Sequence, residues 1–233
     1  MRTHEVVLAR IEADLAAGRW AIGERLPAER AFAEELGVSR PSVREAIRVL
    51  EAMGVVRTAV GSGPDSGASV IDHPAAGLGS AMRLHLAAGT LPVRDVVALR
   101  ALLETWAVGQ AASRVALDAQ AGETVAGARA LLDEMDTPGL TEVRFHELDA
   151  AFHVLLAALS GNVLVEAVML GLRGAIQDYV MAGTARLTDW PSTADRLRAE
   201  HRTILAAIEA GDPTTASAAV GRHIEDFYRE AGL

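Results

Sequence analysis

Residues 26–50, LPAERAFAEELGVSRPSVREAIRVL, leave the chain little structural choice. Pro27 suits the first position of a helix, where a missing N–H costs nothing. Ala28 to Leu36 then runs helical, and Gly37 stands where a helix end wants a residue free to take positive φ. Ser39 is a good N-cap, with Pro41 just inside the next helix. With Arg40 at zero and ~100° per residue, Arg44 falls at ~40° and Arg48 at ~80°. Val43, Ala46, Val49, Leu50 and Met53 fill the arc from ~180° to ~300°. One face must dock on neighbouring helices, and the other displays arginines. Arginine pairs bidentately with O6 and N7 of guanine, and the N-terminal end of such a helix is the end that meets base edges. An ordinary helix hairpin with a solvated arginine face is the alternative that spacing alone leaves open.

The stretch resembles the winged helix-turn-helix of the GntR superfamily of bacterial transcription regulators. The matching residues are Leu26-Pro27, Glu29-Arg30, Leu36-Gly37-Val38-Ser39-Arg40, Val43-Arg44-Glu45-Ala46, Leu50-Glu51 and Gly54-Val55. The resemblance implies DNA contacts from Arg30, Ser39, Arg40, Pro41, Ser42, Arg44 and Arg48. It also implies a β-hairpin wing, for which Val55–Val60 and Ala68–Ile71 read as strands. Between them lies the turn GSGPDSG, with Gly63 at a tip that would approach the minor groove. This tip is longer than the family pattern leads one to expect and carries Asp65. Ahead of the hairpin helices, apolar residues at 7, 8, 11 and 15 give a first helix over Val6–Ala17, followed by a loop from Trp20 to Leu26.

A net charge of −9 has an awkward sign for a nucleic-acid partner, so its distribution matters. Residues 1–70 carry 9 Arg against 10 acidic residues, a net of −1; residues 71–233 carry 13 against 21, a net of −8. Screening limits electrostatic reach to about 8–10 Å at physiological salt, so a local arginine cluster outweighs a distant acidic excess. The absence of cysteine excludes disulfides and thiolate metal sites. No apolar run reaches membrane-spanning length, and MRTHEVVLARIEADL has charges where a signal peptide needs an apolar core. A cytoplasmic protein with no membrane partner is expected.

Asp72-His73-Pro74 is the expected boundary between domains 1–73 and 74–233. Beyond it the pattern is helical throughout: Gly77–Ala88, a long helix from Thr90 and Pro92 to about Leu117, Gly122–Met135, Thr141–Leu159, Leu164–Met181, Thr193–Ala210, and a last one from Asp212-Pro213 to about Glu230. Thr184–Ser192, with Pro191, reads as a loop. The expected fold is mainly α: a winged helix-turn-helix of three helices and a small hairpin, then an antiparallel bundle of about seven helices.

Within that bundle, Asp149 and His153 are four residues apart and share a helix face. With Asp149 at zero, Phe145, Leu148, Phe152, Leu156 and Leu159 lie between about −100° and −20°. The carboxylate and imidazole therefore border a buried stripe. His201 shares its face with Leu197, Ile204, Leu205 and Ile208, and His223 with Ala216, Ala219 and Phe227. Buried ionisable groups need partners, and a cation is a common one. Imidazole and carboxylate without thiolate suit Zn, Ni, Mn or Fe, with Zn favoured. The C-terminal part resembles the FCD domain, the effector domain of the FadR-like branch, whose metal-binding members use an Asp-x3-His pair and two further histidines. Asp149, His153, His201 and His223 match in order. His146, one turn before Asp149 at ~60° on the same wheel, either supports the metal ligands from behind or, as favoured here, faces solvent.

Ligand positions left open on a six-coordinate ion would suit a small carboxylate, completed by a buried arginine. Arg100 and Arg173 lie on apolar helix faces, and Glu104 and Asn162 are further candidates for the same effector site. An ion pair with Glu104 is the equal alternative for Arg100. The resemblance implies a homodimer on a palindromic operator, most often a repressor released by its ligand, with His73-Pro74 and the helix after them transmitting the shift. The competing readings are a metal-dependent hydrolase or lyase acting on a small carboxylate, and a metal-free dimeric DNA-binding protein.

Overall fold

The computed structural model describes residues 3–59, 67–72, 74–115 and 121–232. The chain divides near residue 78 into two compact units.

The first unit opens with α1 (Thr3–Ala16), α2 (Glu29–Leu36) and α3 (Arg40–Ala52). Strands β1 (Val56–Ala59) and β2 (Gly67–Val70) follow. Gly37 closes α2 at φ 63°, and the Ser39 hydroxyl caps α3 by accepting from Ser42 N–H. Because Gly37 adopts the left-handed conformation at no steric cost, α2 and α3 can turn within three residues. Pro27 is not the first helical residue: α2 starts at Glu29 with Ala28 as its cap, so the proline lies ahead of the helix. Val7, Ile11, Phe32, Val43, Ala46 and Leu50 form one core with Val56, Ala68 and Val70. Ile47, at about −20° on the wheel, is also buried there, so the docked arc of α3 is wider than the apolar pattern suggests, while Met53 at its end is 55% exposed.

β1 and β2 pair antiparallel with Val56 opposite Val70 and Ala59 opposite Gly67. The expected loop before Leu26 is partly ordered by the same hairpin. Gly23 N–H donates to Val70 O at 2.9 Å, Val70 N–H to Glu24 O at 2.8 Å and Leu26 N–H to Ala68 O at 2.9 Å. The free edge of β2 thereby gains a partner, which apolar periodicity cannot reveal. The turn at 61–66, with Gly63 and Asp65, and His73 lie outside the described residues.

Seven helices follow among the described residues: α4 (Pro74–Ala87), α5 (Val93–Val115), α6 (Ala121–Met135), α7 (Glu142–Leu159), α8 (Val163–Thr184), α9 (Trp190–Glu209) and α10 (Pro213–Ala231). Short turns make consecutive helices antiparallel neighbours, as in α6 with α7, α7 with α8 and α9 with α10. The long α5 lies against both α7 and α10. The core is mostly Ala, Val, Leu and Ile, with Phe145 and Phe152 fully enclosed. At the α4–α8 crossing, a Cβ on Gly79 would stand 2.7 Å from the Gly171 carbonyl oxygen, so glycine permits the approach. Among the described residues no helix is long and apolar enough to cross a membrane.

Four caps set helix starts. Thr141, Asn162, Asp189 and Asp212 each accept from a backbone N–H of the following turn. Asp189 corrects the expected loop: α9 begins at Trp190, and Pro191 sits inside its first turn, where proline is tolerated. Asp189→Ala should therefore lower unfolding free energy by about 0.5–2 kcal/mol in urea titration; an unchanged midpoint would place the true start of α9 later.

Candidate functional site

The bundle converges on four side chains. Asp149 and His153 come from α7, His201 from α9 and His223 from α10, and all four are buried. One ligand atom from each lies within 4.8 Å of every other. His223 Nε2 is 3.2 Å from both His153 Nε2 and His201 Nε2, and Asp149 Oδ1 is 3.0 Å from His201 Nε2. Ligands about 2.0–2.1 Å from a shared cation stand roughly 3.0–3.4 Å apart, so these spacings fit a metal.

The tautomers point the same way. His153 Nδ1 donates to the buried Glu104 carboxylate, and His223 Nδ1 donates to Glu200 Oε2 at 2.8 Å. In the neutral rings both Nε2 lone pairs then aim at one point, where only a cation or a shared proton relieves them. Arg100 Nε donates to Glu104 Oε1 at 2.6 Å and its Nη1 to the Tyr228 hydroxyl at 3.1 Å.

Charge follows from this packing. Burial raises Asp149, but His153 and His201 hold it well below the carboxylate range. Burial likewise opposes ionisation of Glu104, yet Arg100 and then His153 bring it to about 2. His153 is pulled down by burial and driven up to about 9 by Glu104. His223 falls to about 4 through burial and the neighbouring His201, and burial also lowers His201. Beside the four lies a cavity of about 10 Å³, room for roughly one water molecule, walled by Arg100, His146, Asp149, His223, Phe227 and Tyr228.

The arginine face of α3 is exposed. Arg40 makes no hydrogen bond or ion pair among the described residues. Arg44 is held by Glu29 through two contacts, Nε to Oε1 at 3.0 Å and Nη2 to Oε2 at 2.7 Å. With side chains 50% and 30% exposed, that pair is screened by solvent, so a nucleic acid can compete for Arg44. Arg30 and Arg48 are exposed with distant partners, Glu34 at 3.7 Å and Glu45 at 4.0 Å. Pro41 is exposed and Ser42 half-buried, and the Ser39 hydroxyl lies 2.9 Å from that of Ser42.

Sequence comparison shows the family of the chain that carries this arrangement. The profile described as "Bacterial regulatory proteins, gntR family" matches residues 3–64, and that of the FCD domain matches residues 95–226. The chain belongs to the GntR family. It is 32% identical to the HTH-type transcriptional regulator Mce2R of Mycobacterium tuberculosis, over 92% of this chain and 85% of that one. It is 27% identical to the Glc operon transcriptional activator of Escherichia coli, over 94% and 85%. Streptococcus agalactiae GntR shares the fold with a TM-score of 0.65 at 22% identity, covering 97% of this chain and 99% of that one. This GntR protein is thus a DNA-binding transcription regulator with an FCD effector domain, and not an enzyme.

The remaining expected contacts divide. Arg100 makes the expected ion pair with Glu104, and it also lines the cavity. Glu104 has one oxygen on Arg100 and the other on His153, so it is committed to those partners and does not stand free for an effector. Arg173 is half-buried and donates to Glu147 O at 3.4 Å, and does not line the cavity. Asn162 is exposed and serves as the cap of α8, its carbonyl oxygen accepting from Leu164 and Val165 N–H. His146 does not face solvent: it is 2% exposed, lines the cavity, and its Nε2 is 3.0 Å from Thr184 Oγ1. Sequence reasoning missed Glu200 and Tyr228, which meet His223 and Arg100 only across helices.

The shifted groups give the metal-free protein a stability maximum in pH. His153, raised in the fold, contributes stability present below about 6.5 and lost as pH rises through about 9. His223, lowered in the fold, contributes stability lost as pH falls from about 6.5 towards about 4. Urea midpoints of chelator-treated protein should therefore peak near pH 6.5, and a monotonic profile between pH 4 and 9 would contradict these assignments.

Proposed function

We propose that this GntR protein is a cytoplasmic repressor that binds a palindromic operator as a homodimer and responds to a small carboxylate held beside a metal. Residues 1–73 would bind DNA, and residues 74–233 would bind effector and partner copy. The meeting of three imidazoles and a carboxylate within 4.8 Å in the FCD core carries the reading. Asp149, His153, His201 and His223 would hold a divalent ion, Zn favoured over Ni, Mn or Fe. The donor set fits such an ion because two tautomers are preset and no thiolate is present. When bound, the ion would supply positive charge and open ligand positions for an organic acid.

Arg100, in the cavity wall, supports recognition of a carboxylate, since guanidinium matches its two oxygens. At about 10 Å³ the cavity is too small for an organic acid, so a ligand must widen it. That requirement supports regulation: only a ligand with different affinities for two arrangements shifts their balance. The chain connects the two units through α4, the natural element to carry such a shift. On α5, Leu99, Leu102 and Trp106 share one exposed face, which supports pairing with a second copy. Two paired α3 helices would then read half-sites one helical turn apart.

On α3, Arg40 and Arg44 are the proposed base readers, flanked by Arg30, Ser39, Pro41, Ser42 and Arg48. Arg40→Ala and Arg44→Ala should each cost roughly 1–3 kcal/mol at a cognate guanine, measured by gel-shift titration across salt concentrations. Unchanged affinity in both variants would remove α3 as the reader. Effector addition should lower operator affinity if the protein represses; the E. coli relative is named as an activator, and a gain of affinity would assign that sign here. Elemental analysis should find one metal per chain in wild type and a large loss in His201→Ala, equal contents showing that the ion lies elsewhere.

A further inference from the structure

The three imidazoles are not fixed alike. His153 Nδ1 meets a carboxylate that is 1% exposed and is itself gripped by Arg100. His223 Nδ1 meets Glu200, whose side chain is 26% exposed, is shared with Arg196 at 2.6 Å, and opens on a surface groove between α9 and α10. His201 Nδ1 has no hydrogen-bond partner among the described residues, and its ring is held by Phe145 and Phe152 instead.

We infer that Glu104 is a positioning residue for the metal site: it fixes His153 with its proton on Nδ1 and its lone pair on Nε2, and it joins that ligand to Arg100 in the cavity wall. The inference rests on the metal reading proposed above. Water reaches the Glu200 groove, so a water molecule can take over the hydrogen bond to His223 if that carboxylate is lost. Glu104 is 1% exposed on α5 where that helix packs against α7 and α10, and it lines no such surface groove among the described residues. Loss of its carboxylate leaves His153 free to adopt the other tautomer or to turn its ring, and either removes Nε2 as a ligand.

A second consequence concerns Arg100. Among the described residues no hydrogen bond or ion pair joins it to Asp149, His153, His201 or His223, yet its Nε holds one Glu104 oxygen while the other holds His153. The same guanidinium reaches the Tyr228 hydroxyl in the cavity wall. Ligand recognition at Arg100 and metal affinity at His153 are therefore joined through a single carboxylate.

The test uses the full chain and Zn²⁺ titrated against a chromophoric chelator. Wild type should take up one equivalent, Glu104→Gln should bind on the order of 10–100-fold more weakly, and Glu200→Gln should lose no more than a few-fold. Comparable affinity of Glu104→Gln and wild type, or a loss in Glu200→Gln as large as in Glu104→Gln, would overturn the inference while leaving the metal site standing. Wild type that takes up no Zn²⁺ would overturn the metal reading and the inference with it. Because glutamine beside Arg100 can impair folding, a measurement on unaltered protein stands beside the variants. Long-range ¹H–¹⁵N spectra of the Zn²⁺-loaded wild type should show the His153 proton on Nδ1 and the metal on Nε2. The opposite tautomer at His153 would sink the positioning role.

Discussion

The FCD unit is arranged around the cost of keeping charge out of water. A bundle of Ala, Val, Leu and Ile offers little to a carboxylate or an imidazole, and an isolated buried ion would neutralise itself by shifting its pKa. Here the charges alternate along one line: Arg100, Glu104, His153, Asp149. Each anion lies between two positively charged or donating groups, which is why Glu104 and Asp149 stay ionised despite burial. The line crosses from α5 to α7, so the same interactions that tolerate the charge also fix the helix register. Removing one member strands its neighbour, and breaking such a buried pair costs far more than the intact pair contributes.

This dependence separates what the sequence discloses from what it does not. The helices and their inward faces were legible, because apolar residues recur at helical spacing around Asp149, His201 and His223. Asp149 and His153 were legible as a pair because one helix sets their geometry. His146 is buried against the favoured expectation: at ~60° from Asp149 it lies beyond the apolar arc that ends near ~−20°, but α8 covers that flank and supplies Thr184. Glu200 was invisible for a related reason. It adjoins His201 in the chain yet serves His223, and only the α9–α10 contact brings them together. Asn162 and Arg173 were over-read, since a helix cap and a backbone carbonyl account for them.

Local chemistry was equally divided in the DNA-binding unit. Gly37 and Ser39 announced the turn because each satisfies a stereochemical demand at a fixed position. Pro27 announced only that a helix was near, for proline is tolerated just ahead of a helix as well as inside its first turn. The pairing of residues 23–26 with β2 involves backbone groups alone, and no side-chain pattern marks it. Nor does the acidic total describe the face that matters. Glu29 lies against Arg44 and partly neutralises it, but the contact is solvent-exposed, so a polyanion meets little resistance in replacing it.

A packed interior does not deform continuously, and this gives the small cavity its meaning. Its wall contains Tyr228, whose ring lies 5.6 Å from that of Tyr179 and whose hydroxyl receives Arg100. A group of organic-acid size cannot enter by compressing these side chains; rings must change place or helices must shift. Arg100, which donates to the Tyr228 hydroxyl, also donates to the carboxylate that meets His153 Nδ1. The cavity wall and the imidazoles are thus joined through one chain of side chains: Tyr228, Arg100, Glu104 and His153. In a close-packed FCD core, a displacement of any one of these side chains must be accommodated by the others.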